Sequence, residues 1–265
     1  HNQRFPKIMT MMISKRLVQL IVAILLLAVK SASPLSLGTA ASAASALKDH
    51  SGAAAGLFNN MRTPAALISG AIIPLGILTA PDFEEGESKR SKLLKKANLL
   101  LAMSSLLSEL LAITYSTVAI NKLAEVQFHP TSTVSELIMS QFELAWIGTN
   151  VHFLLGMFGF GLLVGSKAYF KYGEATGKIA GSLSIATFLQ CTSVVNRGIA
   201  MGQGHIDHIG FRFANNLFSL TMKYVWMVLS RIKKGPLPVI AIGFFLYSTY
   251  LAAQLVVDAF RPLKD

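Results

Sequence analysis

The sequence predicts an all-α, polytopic helical membrane protein with about four to six transmembrane helices. Three observations carry this. Of 265 residues, 52% are hydrophobic and only 14% charged, with a mean hydropathy of +0.53. Several apolar runs are long enough to cross a hydrocarbon core about 30 Å thick at about 1.5 Å per residue. Lysine and arginine gather in the connections between those runs. A soluble domain carries about a quarter charged residues, and a disordered chain carries far fewer apolar ones, so both classes are excluded. One cysteine, Cys191, rules out a disulfide framework and every multi-cysteine metal site.

Residues 1–62 read as a targeting leader and 63–265 as a single helical transmembrane domain. Lys15 and Arg16 precede an apolar run at 17–29, which is too short to span but fits the apolar region of a signal peptide. Small residues follow at Ser31, Ala32 and Ser33. The stretch 34–60 is rich in Ala, Ser and Gly with Asp49 its one acidic residue, the composition of a transit peptide. Signal followed by transit segment resembles the bipartite leaders of nucleus-encoded plastid proteins in algae with secondary plastids. Pro34 and Leu35 stand where such leaders carry an aromatic residue. An ordinary secretory signal with a small-residue linker is the alternative. The leader holds 7 basic residues and 1 acidic, so it supplies +6 of the formal +11. The basicity therefore reports targeting more than a polyanionic substrate.

The uncharged run 63–80 is a short first span, a re-entrant segment or a second cleavable signal, with Pro64 and Pro74 set to interrupt its helix. A loop at 81–96 is acidic first and basic last. The run 97–120 is a full span containing Asn98 and Glu109. A further helix is expected to start near Thr133, with Ser135, Glu136 and Glu143 as its capping residues and 142–165 as its membrane part. A fourth span covers 177–201, with Asn196 and Arg197 late in it. Residues 211–230 form a fifth span or an interfacial helix, ended by the 231–236 segment with its Gly235 and Pro236. The last span is 237–257. Counting Lys and Arg in alternate connections gives 11 on the side of 81–96, 166–178 and 231–236 against 6 on the other. This bias places the first set on the cytoplasmic or stromal face.

Polar residues inside the spans are the candidate site, because an uncompensated charge in hydrocarbon is costly and faces a partner or a pathway. Glu109 or Glu143 is expected to pair with Arg197, or the three to line a transport path. The segment 142–153 is the densest polar cluster. Glu143, Asn150 and His152 are side chains able to supply the one axial ligand that a chlorophyll magnesium needs, and Gly148, Gly156 and Gly159 would leave room for a flat macrocycle. Gln190, Asn196 and Glu109 are further candidates of this kind, and a histidine hydrogen-bonded within the bundle is the plainer reading of His152. Glycine pairs at 161/165, 177/181 and 198/202 are read as close helix packing.

Enzyme classes find little footing. Outside the leader the histidines are His129, His152, His205 and His208, too few for a di-iron desaturase, and one deep histidine cannot make bis-histidine haem. No phosphate-binding loop, G-x-S-x-G elbow or H-E-x-x-H is present. A surface metal at His205, Asp207 and His208 is the weaker alternative. The basic runs lie next to the spans and answer to anionic lipid, not nucleic acid. Neither Asn196–Arg197 nor Glu143 with Asn150 completes a light-harvesting Glu, Asn/His and Arg signature, so a standard antenna is disfavoured. The expectation is a non-catalytic subunit of a plastid thylakoid photosynthetic complex that binds chlorophyll and carotenoid and packs on other membrane subunits and lipids. The alternatives are a small transporter or channel using Glu109, Glu143 and Arg197, a membrane assembly factor, and a location in the plastid envelope or a secretory-pathway membrane.

Overall fold

The computed structural model describes residues 47–201, 212–231 and 235–260, without the side chains of 90, 194–201, 212–219 and 258–260. The described residues form seven α-helices and no named strand: α1 (Ser51–Ile72), α2 (Lys89–Glu125), α3 (Val134–Gln141), α4 (Glu143–Tyr172), α5 (Glu174–Met201), α6 (Arg212–Ser230) and α7 (Pro236–Phe260). A π-helical segment, Ile73–Leu78, extends α1. Four helical segments are long and apolar enough to cross a membrane: Ser51–Leu78, Ser91–Glu125, Glu143–Tyr172 and Pro236–Val257. The chain is an all-α polytopic membrane protein. It divides into two units, one of residues 45–241 and one of 1–44 with 242–265. The described part of the second unit is 242–260, most of helix α7.

The first helix starts at Ser51, twelve residues before the expected start of the membrane domain, and Pro64 lies inside it. Residues 51–62 look like a small-residue linker in sequence, yet Ala54 and Phe58 are fully buried. They pack with Ala119 and Leu123 at the end of α2 and with Leu137, Ile138 and Phe142. The Phe58 ring meets Trp146 edge-on at 5.5 Å and Phe142 at 6.2 Å. Pro74 is tolerated because it falls at the start of the π segment, where the regular hydrogen-bond ladder already changes.

Two short caps separate the spans. Ser88 caps α2 by accepting from the Ser91 N–H. Thr133, as expected, opens α3 and accepts from the Glu136 N–H. The reciprocal partner differs from the expected Ser135 and Glu143: the Glu136 carboxylate accepts from the Ser132 N–H and hydroxyl at 2.9 and 2.5 Å. Those hydrogen bonds hold Glu136 below the usual carboxylate range. The expected single helix from 133 through 165 is broken at Phe142, whose backbone (φ −125°, ψ 17°) leaves the helical region while its ring fills the cluster with Phe58 and Phe128.

The core is a three-helix arrangement of α1, α2 and α4. Along α2 the buried residues are Lys95, Asn98, Ala102, Ser105, Glu109, Ala112, Ser116, Ala119 and Leu123, an alternation of three and four that keeps one narrow seam facing its neighbours. Most are small, which suits a bilayer, where close approach rather than hydrophobic transfer holds helices together. The opposite side of α2 carries exposed Leu100, Met103, Leu107, Leu110, Leu111 and Val118, a lipid-facing surface. Gly76 sits where a Cβ would lie 2.4 Å from Ala102.

Helix α5 turns back along α4 after Gly173, whose φ of +89° lets the chain reverse. A Cβ at Gly165 would lie 2.8 Å from the Gly181 Cα and one at Gly161 3.3 Å from Ser184. The Phe158 and Phe188 rings are 4.6 Å apart. The partners advance along α5 as they retreat along α4, so the pair is antiparallel and α5 accompanies α4 at least as deep as Phe158. Gly161, Gly165 and Gly181 thus belong to one helix contact, whereas Gly177 packs on Tyr169.

Candidate functional site

The polar side chains of the 45–241 unit meet where α2, α4 and α6 come together. Antiparallel packing sets the register between α2 and α4: Ser105 opposes Gly159, Glu109 opposes Gly156, Ser116 opposes Thr149, and Tyr115 lies over Gly148. The Ser105 hydroxyl donates to the Gly156 carbonyl at 2.6 Å. The Ser116 hydroxyl donates to the Ala112 carbonyl and lies 3.3 Å from that of Thr149.

Glu109 is at the middle of its span and 0% exposed. Neither carboxyl oxygen has a hydrogen-bond partner among the described residues. Its side chain occupies the space that a Cβ at Gly156 would need, within 2.4–2.6 Å of that position. On α1, Ser69 is also buried, and its hydroxyl is unbonded. The Gly76–Ala102 contact fixes the antiparallel register of α1 on α2, and counting seven residues along each helix brings Ser69 to about the depth of Glu109.

One turn from Gly156 on α4, the His152 Nε2 lies 2.7 Å from the Tyr224 hydroxyl of α6. The Tyr224 hydroxyl is 3.3 Å from that of Tyr115, and the Tyr115 ring stacks on the imidazole at 6.2 Å and 16°. The His152 Nδ1 is buried without a hydrogen-bond partner among the described residues. At the end of α4 the Glu143 carboxylate forms an ion pair with Lys223 of α6.

Several sequence expectations change here. Glu143 forms an ion pair with Lys223, a partner the sequence did not suggest. Arg197 and Asn196 lie in α5, but their side chains are outside the described residues, as are His205, Asp207 and His208. The room anticipated beside Gly148, Gly156 and Gly159 is filled by Tyr115, Glu109 and Ser105; the glycines admit α2, not a macrocycle. The His152 Nε2 lies against the Tyr224 hydroxyl, which leaves the buried Nδ1 as its unpartnered ring nitrogen among the described residues. The Asn150 amide nitrogen donates to the Trp146 carbonyl at 2.8 Å, so of its two polar atoms only the amide oxygen is not used in that bond. Gln190 is exposed on α5 in a stretch with exposed Leu183, Ile185 and Leu189.

Tyr115, Tyr224, Ser69 and Lys223 were not visible as site residues in the sequence. Tyr115 and Tyr224 read as ordinary aromatics of apolar helices, and their meeting joins residues 109 positions apart. The seam of α2 was available as a signal, since Ser105, Glu109, Ala112 and Ser116 fall at helical spacing. Compared with protein-family models, curated proteins and solved structures, the chain matches none.

Proposed function

We propose that the chain is a non-catalytic, multi-span subunit of a photosynthetic complex in the plastid thylakoid membrane, where it binds chlorophyll and carotenoid at its lipid-facing surface. The observation that carries the placement is the order of segments in the leader: a basic start, a 13-residue apolar run, small residues, then an acid-poor Ala/Ser/Gly stretch. The geometry supports a pigment ligand on the outside of the bundle. An axial ligand needs a free lone pair beside space for a ring. The exposed carboxamide of Gln190 and the amide oxygen of Asn150 supply that chemistry better than His152, whose Nε2 bonds Tyr224 and whose Nδ1 is buried. Exposed leucines and isoleucines around Gln190 offer apolar contact for a macrocycle or a polyene.

Purification from membranes in mild detergent tests the proposal. Co-purifying photosystem subunits and bound pigment are the expected result, with Gln190→Leu lowering the chlorophyll content. A colourless protein free of photosynthetic subunits overturns it.

A further inference from the structure

We propose that Glu109 is a proton-binding site at the membrane midplane, loaded through the hydrogen-bonded group of Tyr115, Tyr224 and His152. This goes beyond pigment binding and holds whether or not the chain carries a pigment.

The inference stands on what surrounds the carboxyl. Glu109 is 0% exposed, and both oxygens lack a partner among the described residues. A buried carboxylate without a counter-ion is strongly disfavoured, so the stable occupant of this position is the neutral acid. The titratable and charged groups facing it are few. Its own helix contributes Tyr115; α4 contributes His152, one turn from Gly156, and more distantly Glu143; α6 contributes Tyr224 and Lys223. From α1 the facing polar group is the Ser69 hydroxyl, while Arg62 bonds Asn59 toward the helix start. The one cation in this set, Lys223, is engaged by Glu143. Among the described side chains no formal charge is therefore delivered to Glu109, and a proton is the cation that the site fits.

The same surroundings supply a route. Among the described residues four buried polar atoms lack partners in this part of the core: the two Glu109 oxygens, Ser69 Oγ and His152 Nδ1. Gly156, on which the Glu109 carboxyl packs, stands one helical turn from His152 on α4. The imidazole links this part of the core to the tyrosines, because its Nε2 bonds Tyr224 while Nδ1 has no partner among the described residues. Taking a proton at one ring nitrogen and releasing one from the other passes a proton across the ring with no net change in the histidine. The Tyr224 hydroxyl, bonded to both His152 and Tyr115, gives and receives a proton in the same step. Tyr224 is only partly buried, and there the route reaches the bundle surface, its hydroxyl taking a proton from surface water as it passes its own to His152. Loading moves one proton from that surface through Tyr224 and His152 to a Glu109 oxygen; unloading reverses it, and no electron is exchanged.

Infrared difference spectroscopy of the full chain in lipid, recorded after a pH jump, tests this directly. The expected result is a protonated-carboxyl stretch that shifts in D2O, disappears at alkaline pH and is absent from Glu109→Gln. In His152→Phe the band is retained but appears about a hundredfold more slowly, the loss typical of removing a positioned acid–base group. If Glu109→Gln does not fold, reaction of the wild-type chain with dicyclohexylcarbodiimide gives the second measurement: a protonated apolar carboxyl is modified, and peptide mass spectrometry places the adduct at Glu109. A carboxyl that stays ionised, or stays protonated at every pH, overturns the proposal. So does unchanged loading kinetics in His152→Phe, or an adduct found only at other carboxyls.

Discussion

Glu109 of α2 occupies the space vacated by the missing side chain of Gly156 on α4: a Cβ built there falls 2.4 Å from the carboxyl oxygen. The carboxyl and the glycine form one fitted contact, and neither residue type is explained without the other. Gly156→Val is therefore expected to push α4 off α2 and cost about 1–3 kcal/mol or more, the usual penalty for overpacking. Thermal unfolding in detergent measures it. Pairing that change with Glu109→Ala should recover a large part of the loss, since the second substitution removes the atoms in the way.

Tyr224 and His152 join α6 to α4 at 2.7 Å. Tyr224→Phe leaves a buried ring nitrogen without a partner and is expected to cost about 1–3 kcal/mol. His152→Phe with Tyr224→Phe should cost less than the sum of the single changes, because each single change already breaks the bond. A double-mutant cycle by denaturant unfolding in detergent gives the coupling, expected at about 0.5–2 kcal/mol.

The α4–α5 hairpin depends on Gly165, whose added side chain would meet the backbone of Gly181 at 2.8 Å. Backbone cannot swing aside as a side chain can, so Gly165→Val should separate the two helices. Cysteines introduced at 161 and 184, in a chain with Cys191→Ser, should form a crosslink in the wild-type background and lose it in the variant.

At the membrane surface, Lys95 ties the 81–88 connection to α2 by donating to the Asp82 carbonyl at 2.5 Å and pairing with Glu87 at 2.6 Å. The hydrogen bond from Lys95, aided by that from Ser91, holds the Glu87 carboxyl below the usual carboxylate range. A depressed folded value means that this tether is fully present above the ordinary glutamate range and is lost as pH falls through the folded value. Proteolysis of the 81–88 connection should accelerate on that acid side, and Glu87→Gln should show the accelerated rate already at neutral pH.

Length and apolarity made the membrane class, α2 and α7 legible, because a span announces itself through composition alone. Thr133 was legible as a helix start for a similar reason, since a cap is a local hydrogen bond. Residues 51–62 were not, because Gly52, Gly56 and the alanines suit a linker and a tightly packed membrane helix equally. The break at Phe142 was hidden for the opposite reason: it is set by Phe58 and Phe128, distant in sequence. Of the candidate site, Glu109, Glu143, Asn150 and His152 could be named from their apolar settings. Their partners could not, since Lys223, Tyr224 and Tyr115 reach them only through helix packing.

The division of α2 into a small-residue seam and a leucine-rich back also separates two steps of biogenesis. Placing Glu109 at the centre of a span opposes insertion by about 2.5–3.5 kcal/mol, whereas leucine favours it by about 0.3–0.6 kcal/mol each. The seven leucines between 97 and 120 offset the acid by about 2–4 kcal/mol in total. Leucines facing lipid carry the helix through the translocon, and the seam then selects its neighbours. Replacing leucines on the back should lower the amount of chain that reaches the membrane, while the molecules that do arrive assemble normally.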